Sequence, residues 1–305
     1  MNAAIRAIVR VAHSRNLKVL GFEDGWKGLM ENKFESLTPR SVGGILQLGG
    51  TILHTSRCPE FSSKEGVRRA AEVLSINKVE GLVVIGGNGS FHGALDLSKE
   101  SKILIVGVPA SIDNDIFGTD ETIGFDTAVN TIVTEIDKIR DTAISHERIF
   151  IVEVMGRVRG FLALTAGITA GAEVILIPEI KCKIENVFQT IKENSMKGKK
   201  SGIIVVAEGV GDTRGIAKDI EEYTGSEVRL SVIGYAQRGG SPTARSRLLA
   251  SLFGNKAVEL LLNKQGNKIV GLQNGRITTI NLEESCEKEK SLDLSLLALA
   301  NILAT

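Results

Sequence analysis

Residues 103–128 read ILIVGVPASIDNDIFGTDETIGFDTA. The opening run, Ile103 to Val108, is apolar throughout and of strand length, which predicts a strand buried on both faces of a parallel sheet. Directly after it come Asp113, Asn114 and Asp115, with Asp120, Glu121 and Asp126 close behind. Uncompensated charge is costly in a core, so carboxylates crowded at the end of a buried strand rarely serve packing. In an open α/β sheet the carboxyl ends of the strands are where ligands bind. The simplest use for such a cluster is a base beside a divalent cation, which is what phosphoryl transfer needs.

Outward from this stretch, short apolar runs alternate with amphipathic ones. Strands are expected at Lys18–Gly21, Val79–Ile85, Ile103–Val108, Arg148–Val154, Val174–Ile177 and Gly202–Ala207. Helical patterns lie between them, for example Lys64–Ser75 and Phe125–Ile139. Such alternation predicts an α/β protein whose mostly parallel sheets are covered by helices on both faces. Ile269–Leu272, the Asn274–Gly275 pair and Arg276–Ile280 read as a hairpin. Residues 293–304 read as an apolar terminal helix. The chain opens directly in a helix, with Ile5, Ile8, Val9 and Ala12 on one face and no strand before it.

Bulk properties exclude several classes. The 305 residues carry a net charge of +1, which argues against a nucleic-acid partner held by bulk electrostatics. No apolar run approaches a membrane span, so no membrane partner is expected. Cys58, Cys182 and Cys286 are few, odd in number and far apart, which fits a reducing, cytoplasmic setting better than a disulfide framework.

Four further strand ends carry chemistry. Val83–Ser90 (VVIGGNGS) is a strand, a glycine turn and a helix start, able to bring backbone N–H groups against phosphate oxygens. Ser90 there reads equally as a helix N-cap. Val152–Arg157 (VEVMGR) ends in an arginine, either a phosphate fork or a surface ion pair. Ala207-Glu208-Gly209 ends in a carboxylate, either an acceptor for sugar hydroxyls or a loop acid. Arg229–Pro242 (RLSVIGYAQRGGSP) leads into Arg238 and a glycine pair, and Lys197–Lys200 reads as a solvated basic turn. Together these describe a site for two phosphorylated ligands with a metal between them.

With those residues in hand, the chain resembles the bacterial 6-phosphofructokinase family. The motifs that carry the resemblance are MNAAIR (1–6), GGTILHTSR (49–57), IGGNGS (85–90), SIDNDI (111–116), TIGFDTA (122–128), SHERIFIVEVMGR (145–157), AEG (207–209) and GYAQRGGSP (234–242). They fall in family order over nearly the whole chain. The resemblance implies two similar three-layer domains, at 1–124 plus 237–287 for the nucleotide and 125–236 plus 288–305 for the sugar phosphate. It implies ATP-dependent phosphorylation of fructose 6-phosphate to fructose 1,6-bisphosphate, with Mg2+ as cofactor and a homotetramer as the assembly.

Residue roles follow from the same resemblance. Asp113 matches the catalytic base, Ser111 its neighbouring hydroxyl, and Arg157 the arginine that touches sugar and transferring phosphate. Ile112, Met155, Gly156, Glu208, Tyr235 and Arg238 match sugar-phosphate contacts, with Tyr235 where many members have histidine. Arg148 and Arg229 match arginines that reach the sugar phosphate from a neighbouring subunit. Arg57, Cys58, Gly87, Asn88, Gly89 and Ser90 match the nucleotide site, and Trp26 lies where a ring can stack on adenine. Asp115 and Asn88 match the metal positions, Asn88 standing where the family has aspartate, so weaker metal binding is expected.

Arg6, Arg10, Arg140, Glu173, Lys199 and Lys200 match the family's inter-subunit nucleotide effector pocket, altered by Gly43 and Gly44 in place of a polar and an acidic residue. Pyrophosphate-dependent relatives carry aspartate where this chain has Gly89 and lysine where it has Ala110, so the small residues here favour ATP. A pyrophosphate-dependent kinase and a catalytically weak binding subunit are the alternatives. The resemblance also places a first strand and a Gly-Gly-Asp loop, roughly fifteen residues, ahead of Met1, given the βαβ unit that the opening helix needs. That strand is expected to be missing because the start was placed late rather than through a true truncation.

Overall fold

The computed structural model describes residues 1–181 and 183–304, and Cys182 and Thr305 lie outside the described residues. The first elements are α1 (Asn2–Ser14), β1 (Val19–Phe22), α2 (Trp26–Met30), β2 (Phe34–Leu37), α3 (Lys64–Ile76) and β3 (Gly81–Gly86). Next come α4 (Asn88–Glu100), β4 (Leu104–Ser111), β5 (Ile123–Gly124), α5 (Phe125–His146), β6 (Ile149–Val154) and α6 (Phe161–Thr169). They are followed by β7 (Val174–Leu176), α7 (Ile184–Met196), β8 (Gly202–Ala207), α8 (Thr213–Thr224) and β9 (Val228–Val232). The last are α9 (Ala244–Leu262), β10 (Lys268–Gln273), β11 (Arg276–Asn281), α10 (Leu282–Glu287) and α11 (Ser295–Leu303).

The chain divides into two compact units. The first takes Met1–Ser111, Asp115–Gly124 and Gly239–Lys290. Its main sheet runs β11-β10-β4-β3, with β5 added beside β4. β3, β4 and β10 are parallel, and β10–β11 closes as an antiparallel hairpin through Asn274 and Gly275. Side-chain alternation along the strands builds one core on each face. Ile105, Val84 and Ile269 pack with α3 and α4, while Val106, Val108 and Val270 pack under α1 and α9. The face of α1 read from the sequence is the buried one, with Ile5, Ile8, Val9 and Ala12 at most 9% exposed.

β1 departs from expectation. The run near Lys18–Gly21 forms a strand at Val19–Phe22, but it pairs antiparallel with β2 in a separate two-stranded sheet. A parallel return needs a crossover of a dozen or more residues, and the short path through α2 allows only an antiparallel partner.

The second unit takes Ile112–Asn114, Phe125–Arg238 and the residues from Ser291 onward. Its sheet, β7-β8-β6-β9, is parallel throughout. Val152, Val154, Ile203, Val205 and Ala207 face α5 and α6, and Ile149, Ile151, Ile204 and Val206 face α7 and α8. Each unit is thus a three-layer arrangement of helix, sheet and helix. α5 continues to His146, beyond the expected Ile139. The terminal apolar segment forms α11, which buries Ala300 but leaves Leu299, Ile302 and Leu303 exposed. No helix among the described residues is long and apolar enough to cross a membrane.

Candidate active site

In the first unit the carboxyl ends of the adjacent parallel strands β3 and β4 converge. A Cβ on Gly87 would stand 3.7 Å from the Cβ of Ser111. Gly87 occupies the N-cap of α4 and provides no side-chain cap, so Ser90 is a first-turn residue and not the cap. The opening N–H groups of α4 therefore have no side-chain acceptor at the cap, the arrangement that suits an anion. Ser90 sits so close to β3 that a Cβ on Gly86 would come within 2.4 Å of its Oγ. Gly89 is exposed, with nothing within 4 Å of where its Cβ would be.

Elsewhere in the first unit, Arg57 is exposed and Cys58 stands at the N-cap of the short 3-10 turn Pro59–Ser62, its Sγ 3.6 Å from Glu60. Burial pushes the Cys58 thiol above its ordinary pKa. Trp26 is first a packing residue. It stacks on Phe61 at 4.3 Å between centroids, and the two rings lie against α4 where a Cβ on Gly93 would meet both at about 3 Å.

Asp115 belongs to the same unit, and Asn88 at the start of α4 donates from Nδ2 to its Oδ2 at 2.8 Å. The amide nitrogen, not the oxygen, faces the carboxylate. No group of three or more His, Cys, Asp or Glu side chains able to hold a metal exists among the described residues. One carboxylate fits magnesium that keeps several waters and takes its remaining ligands from substrate phosphates.

The second unit carries Asp113. It is 6% exposed, and Arg157 Nε lies 3.4 Å from its Oδ2. The next residue, Asn114, adopts a left-handed conformation at φ 54°, and Ile112 packs into the core under α5 and α6. Arg157 reaches Asp113 from the turn after β6. Gly156 at φ 133° and Arg157 at φ 54° shape that turn, and only glycine adopts the first conformation without strain. Glu208, just past β8, fastens it by accepting Gly156 N–H at 3.2 Å and Arg157 N–H at 2.6 Å on Oε1. Buried Gln237 fastens Met155 in the same way, accepting its N–H at 3.0 Å. Beyond β9, Arg238 lies 5.2 Å over the exposed Tyr235 ring.

Arg148 and Arg229 lie toward the opposite, amino-terminal end of β6 and β9. Arg148 precedes β6 and Arg157 follows it, and the six residues of the strand span about 20 Å. Register pairs Phe150 with Arg229, and Glu227 binds both arginines, Arg148 Nε at 2.5 Å. The expected effector residues split into groups. Glu173, 6% exposed, lies 2.8 Å from Lys199 Nζ and 3.5 Å from Arg140, which also donates to the carbonyls of Ala170 and Gly171. Lys200 turns to Glu147 instead, and Arg6 and Arg10 sit on α1 of the first unit.

A family model described as Phosphofructokinase matches residues 1–261. The chain belongs to the phosphofructokinase family. It is 50% identical to the ATP-dependent 6-phosphofructokinase of Halothermothrix orenii, covering all of this chain and 95% of that one. The enzyme of the same description from Lysinibacillus sphaericus is also 50% identical at the same coverage. Among solved structures, phosphofructokinase from Saccharomyces cerevisiae superposes with a TM-score of 0.87 at 31% identity. That likeness covers 99% of this chain, which spans 44% of the yeast chain.

Sequence reasoning missed two residues that organise the second unit. Gln237 and Glu227 are invisible as partners until the register of β6 and β9 brings them to Met155 and to the two arginines. Asn88 reads as a weakened ligand, but its hydrogen bond to Asp115 needs coordinates to be seen. Glu208 reads as a ligand acceptor, and one of its oxygens already holds the Gly156–Arg157 turn.

Proposed function

We propose that this chain is an ATP-dependent 6-phosphofructokinase, transferring the γ-phosphate of ATP to the 1-hydroxyl of fructose 6-phosphate. The observation that carries the reading is Asp113, nearly buried at the end of a core strand with the Arg157 guanidinium 3.4 Å away. Asp113 takes the proton of the attacking hydroxyl, and Ser111, two residues earlier in the chain, supplies a further hydroxyl. Arg157 offsets the charge on the phosphoryl group in flight, so that catalysis rests on positioning and electrostatics.

The second unit is the sugar-phosphate domain. Glu208 holds the Gly156–Arg157 turn with one oxygen and offers the other to a sugar hydroxyl, while Arg238 binds the 6-phosphate with Tyr235 beneath it. Ile112 and Gly156 complete the wall against the sugar. Arg148 and Arg229 lie a strand's length from Arg157, which supports their serving the site of a neighbouring subunit in a homotetramer.

The first unit is the nucleotide domain. The Gly87–Ser90 turn and the uncapped start of α4 receive the phosphates, with Arg57, Cys58 and Trp26 toward the nucleoside. Open space at Gly89 and the small side chain of Ala110 favour ATP over pyrophosphate. Asp115 would hold magnesium through water, and the ion when bound supplies positive charge to the nucleotide phosphates. The Glu173–Arg140–Lys199 cluster supports one part of an inter-subunit nucleotide effector pocket, with Arg6, Arg10 and Lys200 as the remaining residues of that reading.

Asp113→Ser tests the assignment of the base. Loss of a positioned general base lowers turnover by about 10²–10⁴-fold. A folded variant that keeps its turnover removes Asp113 from that role.

A further inference from the structure

We propose that Asn88 is a positioning residue that holds Asp115 in its working place without a cation, so that metal is not needed to assemble the site. The proposal rests on the reading that Asp115 faces the cation of the nucleotide. Asn88 Nδ2 lies 2.8 Å from Asp115 Oδ2. The amide can present only its nitrogen there, because its oxygen would set acceptor against acceptor. One Asp115 oxygen is thus tied to a neutral donor. A carboxylate at position 88 would bring two anionic oxygens to hydrogen-bond distance, an arrangement that demands a shared proton or cation.

The backbone that follows Asp115 is secured independently of any ion. Ile116 is fully buried in the core beside α3 and α4. Ser285 of α10 donates to the Phe117 carbonyl at 2.7 Å, and Lys290 Nζ to the Asp120 carbonyl at 2.9 Å. Thr119, 3% exposed, donates to the Glu121 carbonyl at 2.8 Å and accepts the Leu272 N–H at 3.0 Å. These contacts close the loop through protein groups. The cation is left to arrive with its phosphates.

The test compares the full-length wild type with Asn88→Asp and Asn88→Ala, free of nucleotide, by thermal unfolding in EDTA and in millimolar MgCl2. Binding of Mn2+ is followed in parallel through the electron paramagnetic resonance of the free ion. The wild-type melting temperature should move by less than about 1 °C on adding Mg2+. Asn88→Asp should melt roughly 3 °C lower in EDTA, recover in Mg2+, and bind Mn2+ about tenfold more tightly. Asn88→Ala should melt lower in both buffers with no response to Mg2+. It should also show reduced kcat/KM for MgATP at an unchanged KM for fructose 6-phosphate.

A wild type stabilised by Mg2+ as strongly as Asn88→Asp, or an Asn88→Asp indifferent to Mg2+, overturns the proposal. Melting and Mn2+ binding do not depend on turnover. An inactive chain would therefore count against the kinase reading while leaving these two measurements to judge Asn88.

Discussion

Replacing Gly89 with aspartate should stabilise the protein while removing its use of ATP. Gly89 is the second residue of α4; its φ is not positive, and no atom lies within 4 Å of a Cβ built on it. The substitution therefore carries no steric penalty. Relieving a glycine in a helix and placing a negative charge in the first turn together contribute about 1 kcal/mol. That corresponds to a rise in melting temperature of roughly 2–4 °C. If the turn receives nucleotide phosphates, an oxygen of the triphosphate comes within about 4–5 Å of the new carboxylate. At an effective dielectric constant of about 20 the repulsion is about 3–4 kcal/mol, or roughly 10²–10³-fold in kcat/KM for ATP. The assay is coupled ADP release at saturating fructose 6-phosphate, beside a thermal melt, with Gly89→Ala as the uncharged control. A folded Gly89→Asp that keeps ATP turnover within about threefold of wild type would refute the placement of the phosphates at this turn.

Other perturbations separate the parts of the site. Glu208→Ala releases the N–H groups of Gly156 and Arg157, and should raise KM for fructose 6-phosphate and lower kcat, at a stability cost of about 1.5–3 kcal/mol. Glu208→Gln, which keeps an acceptor, should recover most of the stability in urea unfolding. Burial pushes the Lys290 ammonium down to about 8, with the carboxylates of Asp120, Asp115 and Glu121 opposing the shift. The unfolded chain holds that proton more tightly between about pH 8 and 10.5, so stability should climb with pH across this window. The gain from about pH 7.5 to 9.5 is on the order of 2 kcal/mol in urea unfolding, and it should vanish in Lys290→Met.

The strands are legible in the sequence because an apolar run bounded by glycine and charge has one economical use. β4, β6 and β8 fall on the runs read at Ile103–Val108, Arg148–Val154 and Gly202–Ala207. The composition of VLGF does not distinguish a central parallel strand from an antiparallel ribbon; the short path to β2 decides that, and path length is a three-dimensional constraint. At the site, residue types announce phosphates and sugar but not who holds whom. Trp26 has the chemistry of an adenine platform, and its stacking on Phe61 becomes visible only when α2 packs beside α4. Arg148 and Arg157 both flank the run IFIVEV in SHERIFIVEVMGR, and its six residues of extended backbone put them at opposite ends of β6. Glu227, two residues from Arg229, carries no motif of its own, and its role emerges only when register brings Arg148 to it. What is lost is partner identity across elements, which sequence spacing does not encode.

The most direct measurement is product formation by the purified chain with fructose 6-phosphate and each phosphoryl donor in parallel. With ATP and Mg2+ the account predicts stoichiometric ADP and fructose 1,6-bisphosphate, and with pyrophosphate a rate at least about 10²-fold lower. Equal or faster turnover with pyrophosphate, or binding of fructose 6-phosphate without turnover on either donor, would contradict it.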